Sequence, residues 1–445
     1  MTQTIDKKSN WYLSNFETFE KSLNGEAKTH LHTIRKSAIA RFVEMGFPTT
    51  RDEEWRFTNV APIANVNFKP VLHLFHDDVT EQSIRPFIFD DLKCHRLVFI
   101  NGHFSDKLSS IHTLPKGVKI GSLAAALKLD QDLVYQFLAQ YAKYDDNAFT
   151  ALSTAFIQDG AFIYIPDRVA LEEPVHLLFV STGNDASIVS HPRNLIVAGK
   201  NSQVSIVETY GGLKDNIYFT NVVTEVIAGE YSVIEHDKLQ IERQKAFHVG
   251  SMHAYMNAHS NIISNSVSFG GALVRNNVTA VLDAEGIECT LNGLSLATGQ
   301  QHVDNHTTID HAKPHCNSHE LYKSILDGKA KGVFNGKIYV RKDAQKTDAK
   351  QTNKTLLLSD EATIDTKPQL EIFADDVKCT HGATVGQLDE EQIFYLRSRG
   401  LGLETARDIL TFAFASDVIN RVHVEPLREQ LDRLIQERLR KGRLA

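Results

Sequence analysis

The chain has 445 residues, 42% of them hydrophobic and 23% charged, with a formal net charge of −7. That length supports a sizeable core and more than one domain, and the acidic balance argues against general nucleic-acid binding, which needs a basic surface. No apolar run reaches membrane-spanning length, and the polar start MTQTIDKKSN is followed by no apolar signal segment, so no membrane association is expected. The four cysteines, at 94, 289, 316 and 379, form no CxxC pair. They read as thiols of a reducing compartment, and the cytoplasm is the expected location.

Residues 1–150 read as a mainly helical amino-terminal region with some strands. Leu13, Phe16, Phe19 and Leu23 recur at helical spacing, as do Leu31, Ile34, Ala38, Phe42 and Met45, and Gly46 and Pro48 stand where a helix should stop. RDEEWRFTNVAPI follows, then strand-like pieces from Leu97 onward, interrupted by helix-like segments around Leu123–Leu127 and Leu133–Tyr141.

Residues 151–385 change character. Short apolar–polar alternations such as Ile287 to Leu291, Leu294 to Leu296 and Val377 to His381 succeed one another. Asn292-Gly293 and Asn335-Gly336 look like turns between them. More than two hundred residues of such strands exceed one ordinary sandwich, leaving two sandwiches, a large barrel or an irregular β-solenoid. Residues 386–445 are helical again: Leu388 to Arg399, Glu404 to Val422, then a charged helix striped by Leu427, Leu431, Leu434 and Leu439. Such helices can cap the end of the strand region or dock a partner.

The chemistry is sparse. Five histidines crowd HVDNHTTIDHAKPHCNSHE (His302, His306, His311, His315 and His319), but Pro314 breaks any metal-binding helix there and HExxH is missing. They read as polar residues on successive strands and corners. No phosphate loop, nucleophile elbow or dinucleotide fingerprint occurs, so no catalytic residues are assigned and the isolated chain does not read as an enzyme. Cys289, between Ile287 and Leu291, reads as a buried thiol. Cys379 and His381 are two apart on a strand and so share a face with Val377, which should be covered by protein. Both residue types bind iron, but two ligands cannot complete an iron–sulfur site, so another chain would have to supply the rest.

The block from Asp327 to Leu401, with VFNGKIYV, TIDTKPQLEIFADDVKCTHGATVGQLDEEQIFYLRSRGL at its end, resembles the carboxy-terminal signature of the SufB/SufD family. HTTIDHAKPHCNSHELYKSIL and RDEEWRFTNVAPI fit the same family, and the motifs are in the SufD form. The resemblance implies a right-handed parallel β-helix core flanked by helical amino- and carboxy-terminal regions. It also implies a non-catalytic scaffold subunit of the SUF iron–sulfur cluster assembly complex. That subunit would pair with a SufB-like paralogue, form a homodimer when expressed alone, and dock the SufC-type ABC ATPase, which would bind the ATP. A transient iron–sulfur cluster would be shared with the partner, with His381 and Cys379 carried over as cofactor and metal ligands. Two other readings are a purely structural partner without cluster contact and a β-helix carbohydrate-active enzyme.

Overall fold

Strands in the middle of the chain alternate between two stacks. In chain order they are His95–Ile100 (β1), Ala161–Ile165 (β2), Val175–Ser181 (β3), Arg193–Ala198 (β4), Gln203–Gly212 (β5) and Tyr218–Ala228 (β6). Val233–Gln240 (β7), Phe247–Met256 (β8), Asn261–Ser268 (β9), Leu273–Leu282 (β10), Glu288–Ala297 (β11) and His302–His311 (β12) follow. Asn317–Leu326 (β13), Lys331–Val340 (β14), Asp348–Leu357 (β15), Thr363–Ile372 (β16) and Lys378–Gly386 (β17) complete the series. Odd-numbered strands form one sheet and even-numbered strands the other, each pairing in parallel with the strand two further on. The result is a parallel β-helix of about 8 turns. The computed structural model describes residues 7–23, 28–73, 78–89, 91–183 and 187–441.

The repeat that makes this solenoid lies in the backbone. Asn201, Tyr231, His259, Gly286, His315 and Lys346 all have positive φ, and they recur every 27 to 31 residues at the same corner of successive coils. Their amides bond from coil to coil: Tyr231 to the Ala258 carbonyl, His259 to that of Glu285, His315 to that of Gln345. Glycine is required once in this column, because a Cβ on Gly286 would lie 2.2 Å from the His259 Nδ1. Apart from the two histidines, the other side chains at the corner share no type, which hides the period from the sequence.

Alternate residues of each strand point inward, as the period-2 pleat requires. The first coils are filled with Leu177, Ile196, Ile206, Ile234 and similar side chains. Asn292-Gly293 and Asn335-Gly336 correct the sequence reading. They are not turns but lie in mid-strand, in β11 and β14. Glycine is needed there because a Cβ on Gly293 would be 2.2 Å from the Tyr322 ring, and one on Gly336 2.2 Å from the Gln351 amide nitrogen.

Helices Lys7–Ser22 (α1) and His30–Met45 (α2) pack on Ala148–Ala155 (α3) through Phe16, Phe19, Phe42, Leu152 and Phe156. Thr29 caps α2 by accepting from the His32 amide, and Gly46 ends it at φ 65°, where the sequence placed the stop. At the other end come Glu390–Ser398 (α4), Leu403–Ile419 (α5) and Glu425–Lys441 (α6). Ala415, Val418, Ile419, Leu427, Leu431 and Ile435 are buried against Leu239, Val267, Leu294 and Ile325 on the odd-numbered sheet. The expectation of a cap over the end of the strand region is corrected: these helices cover a side of the solenoid, because their apolar stripe packs on the odd-numbered sheet, and among the described residues the final coil is left open. Among the described residues no helix is long and apolar enough to cross a membrane.

Candidate functional site

The last coil consists of β16 and β17, each the outermost strand of its sheet. Every residue of β17 except Cys379 is exposed, whereas the strand beneath it, β15, alternates buried and open positions. Cys379 pairs in register with Ala349, His381 with Gln351, Ala383 with Asn353 and Val385 with Thr355. In-register residues of parallel strands point to the same face, and Ala349, Gln351, Asn353 and Thr355 are all buried. Cys379 and His381 thus stand on the inward face of the coil, as the strand spacing implied. Among the described residues no further coil lies over this face, and His381 is exposed.

Cys379 is half-buried against Val340, Ala344, Ala349 and Ala374, and this burial raises its thiol pKa, so the neutral thiol is favoured. Further in, the lumen becomes polar. Glu320, in register between Leu291 and Gln351, accepts from the Gln351 Nε2 at 2.7 Å. Burial pushes the Glu320 carboxyl up to about 7. A second polar group fills the lumen nearer the amino-terminal end. There the Lys238 ammonium, lowered by burial to about 8, lies 2.9 Å from both the His248 Nε2 and the Asn276 Oδ1. Glu208 and Glu242 flank it through His236 and His248. Neither group was foreseen, because an inward polar residue on a strand reads like a surface one until both sheets are in place.

The outward edge is equally defined. The Lys378 amide donates to the Thr347 carbonyl. Alternation then directs the amides of Thr380, Gly382 and Thr384 to β15, and those of Cys379, His381, Ala383 and Val385 to the open edge. On β16 the Thr363 amide bonds to Ala330, which places Pro368 in the outward-facing set. Proline is tolerated there because an edge strand has no partner to disappoint. The β17 edge alone offers an uninterrupted row of donors.

The five histidines of the 302–319 segment separate. The His302 Nε2 is 2.9 Å from the Thr58 hydroxyl; His306 lies between Asp304 at 3.1 Å and Glu54 at 3.4 Å. His311 is buried on the Ser318 hydroxyl, its pKa lowered to about 4 by burial, while His315 and His319 are exposed. Asp304 is fully buried; Arg275, His306 and Thr58 outweigh the burial and hold its carboxyl well below the usual range. Trp55 stacks on Arg275, and Lys331 donates to the Phe57 carbonyl, so RDEEWRFTN is the clasp that fastens the amino-terminal region to the outside of the solenoid.

Among the described residues one group of three potential metal donors converges, His95, His112 and Glu173. Its geometry suits an ion-pair cluster better than a metal. The His95 Nδ1 accepts the His112 amide at 3.2 Å, leaving the proton of the neutral ring on Nε2 and no free lone pair. Glu173 is already held by Lys93 and His112, each at 2.5 Å.

Residues 179–414 match the SufBD core domain of the SUF system for iron–sulfur cluster assembly, and residues 6–177 match the SufBD protein N-terminal region. The iron–sulfur cluster assembly SufBD family protein slr0076 of Synechocystis is 34% identical over 92% of this chain and 91% of its own length. The iron–sulfur cluster assembly protein SufD of Escherichia coli is 30% identical over 96% of both chains, and the Bacillus subtilis SufD is 28% identical over 92% of this chain and 94% of its own. Taken with the parallel β-helix between helical ends, these matches establish that the chain belongs to the SufBD family of iron–sulfur cluster assembly proteins.

Proposed function

We infer that the chain is a SufD-type, non-catalytic scaffold subunit working in the cytoplasm, and that its open final coil is where an iron–sulfur cluster is assembled with a SufB-like partner. The observation that carries this reading is the placement of His381 and Cys379 on the inward face of a coil that nothing among the described residues covers. A partner whose own β-helix ends there would close the lumen, pair with the unused amides of β17 and supply the remaining ligands. The cluster is cargo, and His381 is the residue offered to it. Imidazole binds iron through an unprotonated ring nitrogen.

A SufC-type ATPase is the partner assigned to the carboxy-terminal helices. Phe394 and Tyr395 on α4 are 74% and 57% exposed, an apolar pair next to Arg397 and Arg399. The test is co-purification of the complex carrying His381→Ala. The expected outcome is a normally assembled complex with sharply reduced iron and acid-labile sulfide. Wild-type iron and sulfide in that variant would leave only the reading of a structural partner without cluster contact.

A further inference from the structure

Gln351 is held unusually well for a residue with half its polar capacity unused. Its Nε2 donates to the Glu320 Oε2 at 2.7 Å. The opposing strand makes room for the amide only because residue 336 is glycine, whose Cβ would stand 2.2 Å from that nitrogen. The Gln351 Oε1, by contrast, is buried and has no hydrogen-bond partner among the described residues. A buried carbonyl oxygen left unpaired costs about 1–3 kcal/mol, so its orientation calls for a partner. With Nε2 committed to Glu320, the amide cannot turn over without losing that bond.

The strand register supplies the candidate partner. His381 is the next residue outward in the column Glu320–Gln351–His381, one strand spacing from Gln351 and on the same inward face. Metal-binding histidines characteristically donate their second ring N–H to an acceptor that fixes tautomer and ring plane. We propose that Gln351, oriented by Glu320, is the positioning residue for His381, its side-chain oxygen accepting one ring N–H and leaving the other ring nitrogen bare for iron. The inference rests on the cluster reading above and adds the way the imidazole is aimed.

Glu320 acts in this scheme as a hydrogen-bond acceptor for the Gln351 amide, and its charge is not required. That distinguishes orientation from electrostatics and sets the test. In the purified complex, Gln351→Met keeps the volume and removes the acceptor; Glu320→Met frees the amide to turn; Glu320→Gln preserves the bond. Iron and sulfide should fall about tenfold in the first two, in line with the loss of an outer-shell partner, and stay near wild type in Glu320→Gln. Thermal unfolding of each variant separates this from damage to the lumen. A merely structural role predicts that iron content follows stability across all three. Wild-type iron in Gln351→Met beside an emptied His381→Ala complex overturns the positioning role and leaves the cluster site standing. Wild-type iron in His381→Ala overturns both.

Discussion

The guanidinium carbon of Arg275 lies 4.2 Å from the centre of the Trp55 ring, joining a residue of the amino-terminal region to the outer face of β10. The same guanidinium donates to the buried Asp304 at 2.5 Å and to the Glu54 carbonyl at 2.9 Å. One cation thus fastens two parts of the chain more than two hundred residues apart. Trp55→Ala should cost about 3–5 kcal/mol as a large-to-small change at a buried site. Arg275→Ala should cost a similar 3–5 kcal/mol, because it takes the guanidinium from the buried Asp304 carboxylate and leaves it only Thr58 and His306. Denaturant unfolding of both variants checks this; a cost below 1 kcal/mol for Arg275→Ala would show that Asp304 finds another partner.

The two edges of β17 make a pair of proline substitutions informative. Ala383→Pro removes an amide that only a partner could use, whereas Thr380→Pro removes one directed to β15. The first should leave the chain folded but unpaired with the proposed SufB-like partner on size-exclusion chromatography. The second should loosen the last coil itself, visible as faster amide exchange in β15 and β17. Normal heterodimer with Ala383→Pro argues against strand addition at this edge.

Deleting the whole carboxy-terminal region is a poor test of ATPase docking, because α5 and α6 bury core contacts and the Lys323 ammonium donates to the Phe414 carbonyl at 2.9 Å. Phe394→Ser combined with Tyr395→Ser changes only the exposed pair. Stability should stay within about 0.5 kcal/mol of wild type, as for other surface changes, while ATPase pull-down is lost. Full recovery of the ATPase places its dock elsewhere.

Glu320 gives stability a definite pH dependence. Its carboxyl titrates near 7 when folded against 4.5 for the free side chain, so its folded pKa is raised. Below about pH 4.5 both states hold the proton and nothing is lost. As pH rises toward 7 the unfolded chain releases its proton first, and stability falls, to a deficit of roughly 3 kcal/mol above pH 7. The nearest titratable neighbours, Cys289 and Tyr322, stay protonated through this range because burial raises both. Glu320→Gln should therefore gain on wild type steadily between pH 4.5 and 8 in thermal unfolding. A gap that does not change with pH shows that the carboxyl ionises freely in the fold.

The sequence by itself determined the class of the fold and the face on which Cys379 and His381 lie. Both follow from local rules: a pleat of period two sets the side of a strand a residue occupies, and Gly46 marks the end of a helix whatever surrounds it. It could not separate a sandwich from a solenoid on periodicity, since the repeating unit is a backbone conformation at Asn201, Tyr231, His259, Gly286, His315 and Lys346, carried by five residue types. It misplaced Asn292-Gly293 and Asn335-Gly336 as turns, because a glycine demanded by an aromatic ring or an amide across the lumen looks like one demanded by a bend. Only the tertiary structure decided that Gln351 and Glu320 stand behind His381. They are 30 and 61 positions earlier in the chain, and what joins them is coil-to-coil register, which depends on the length of every intervening corner.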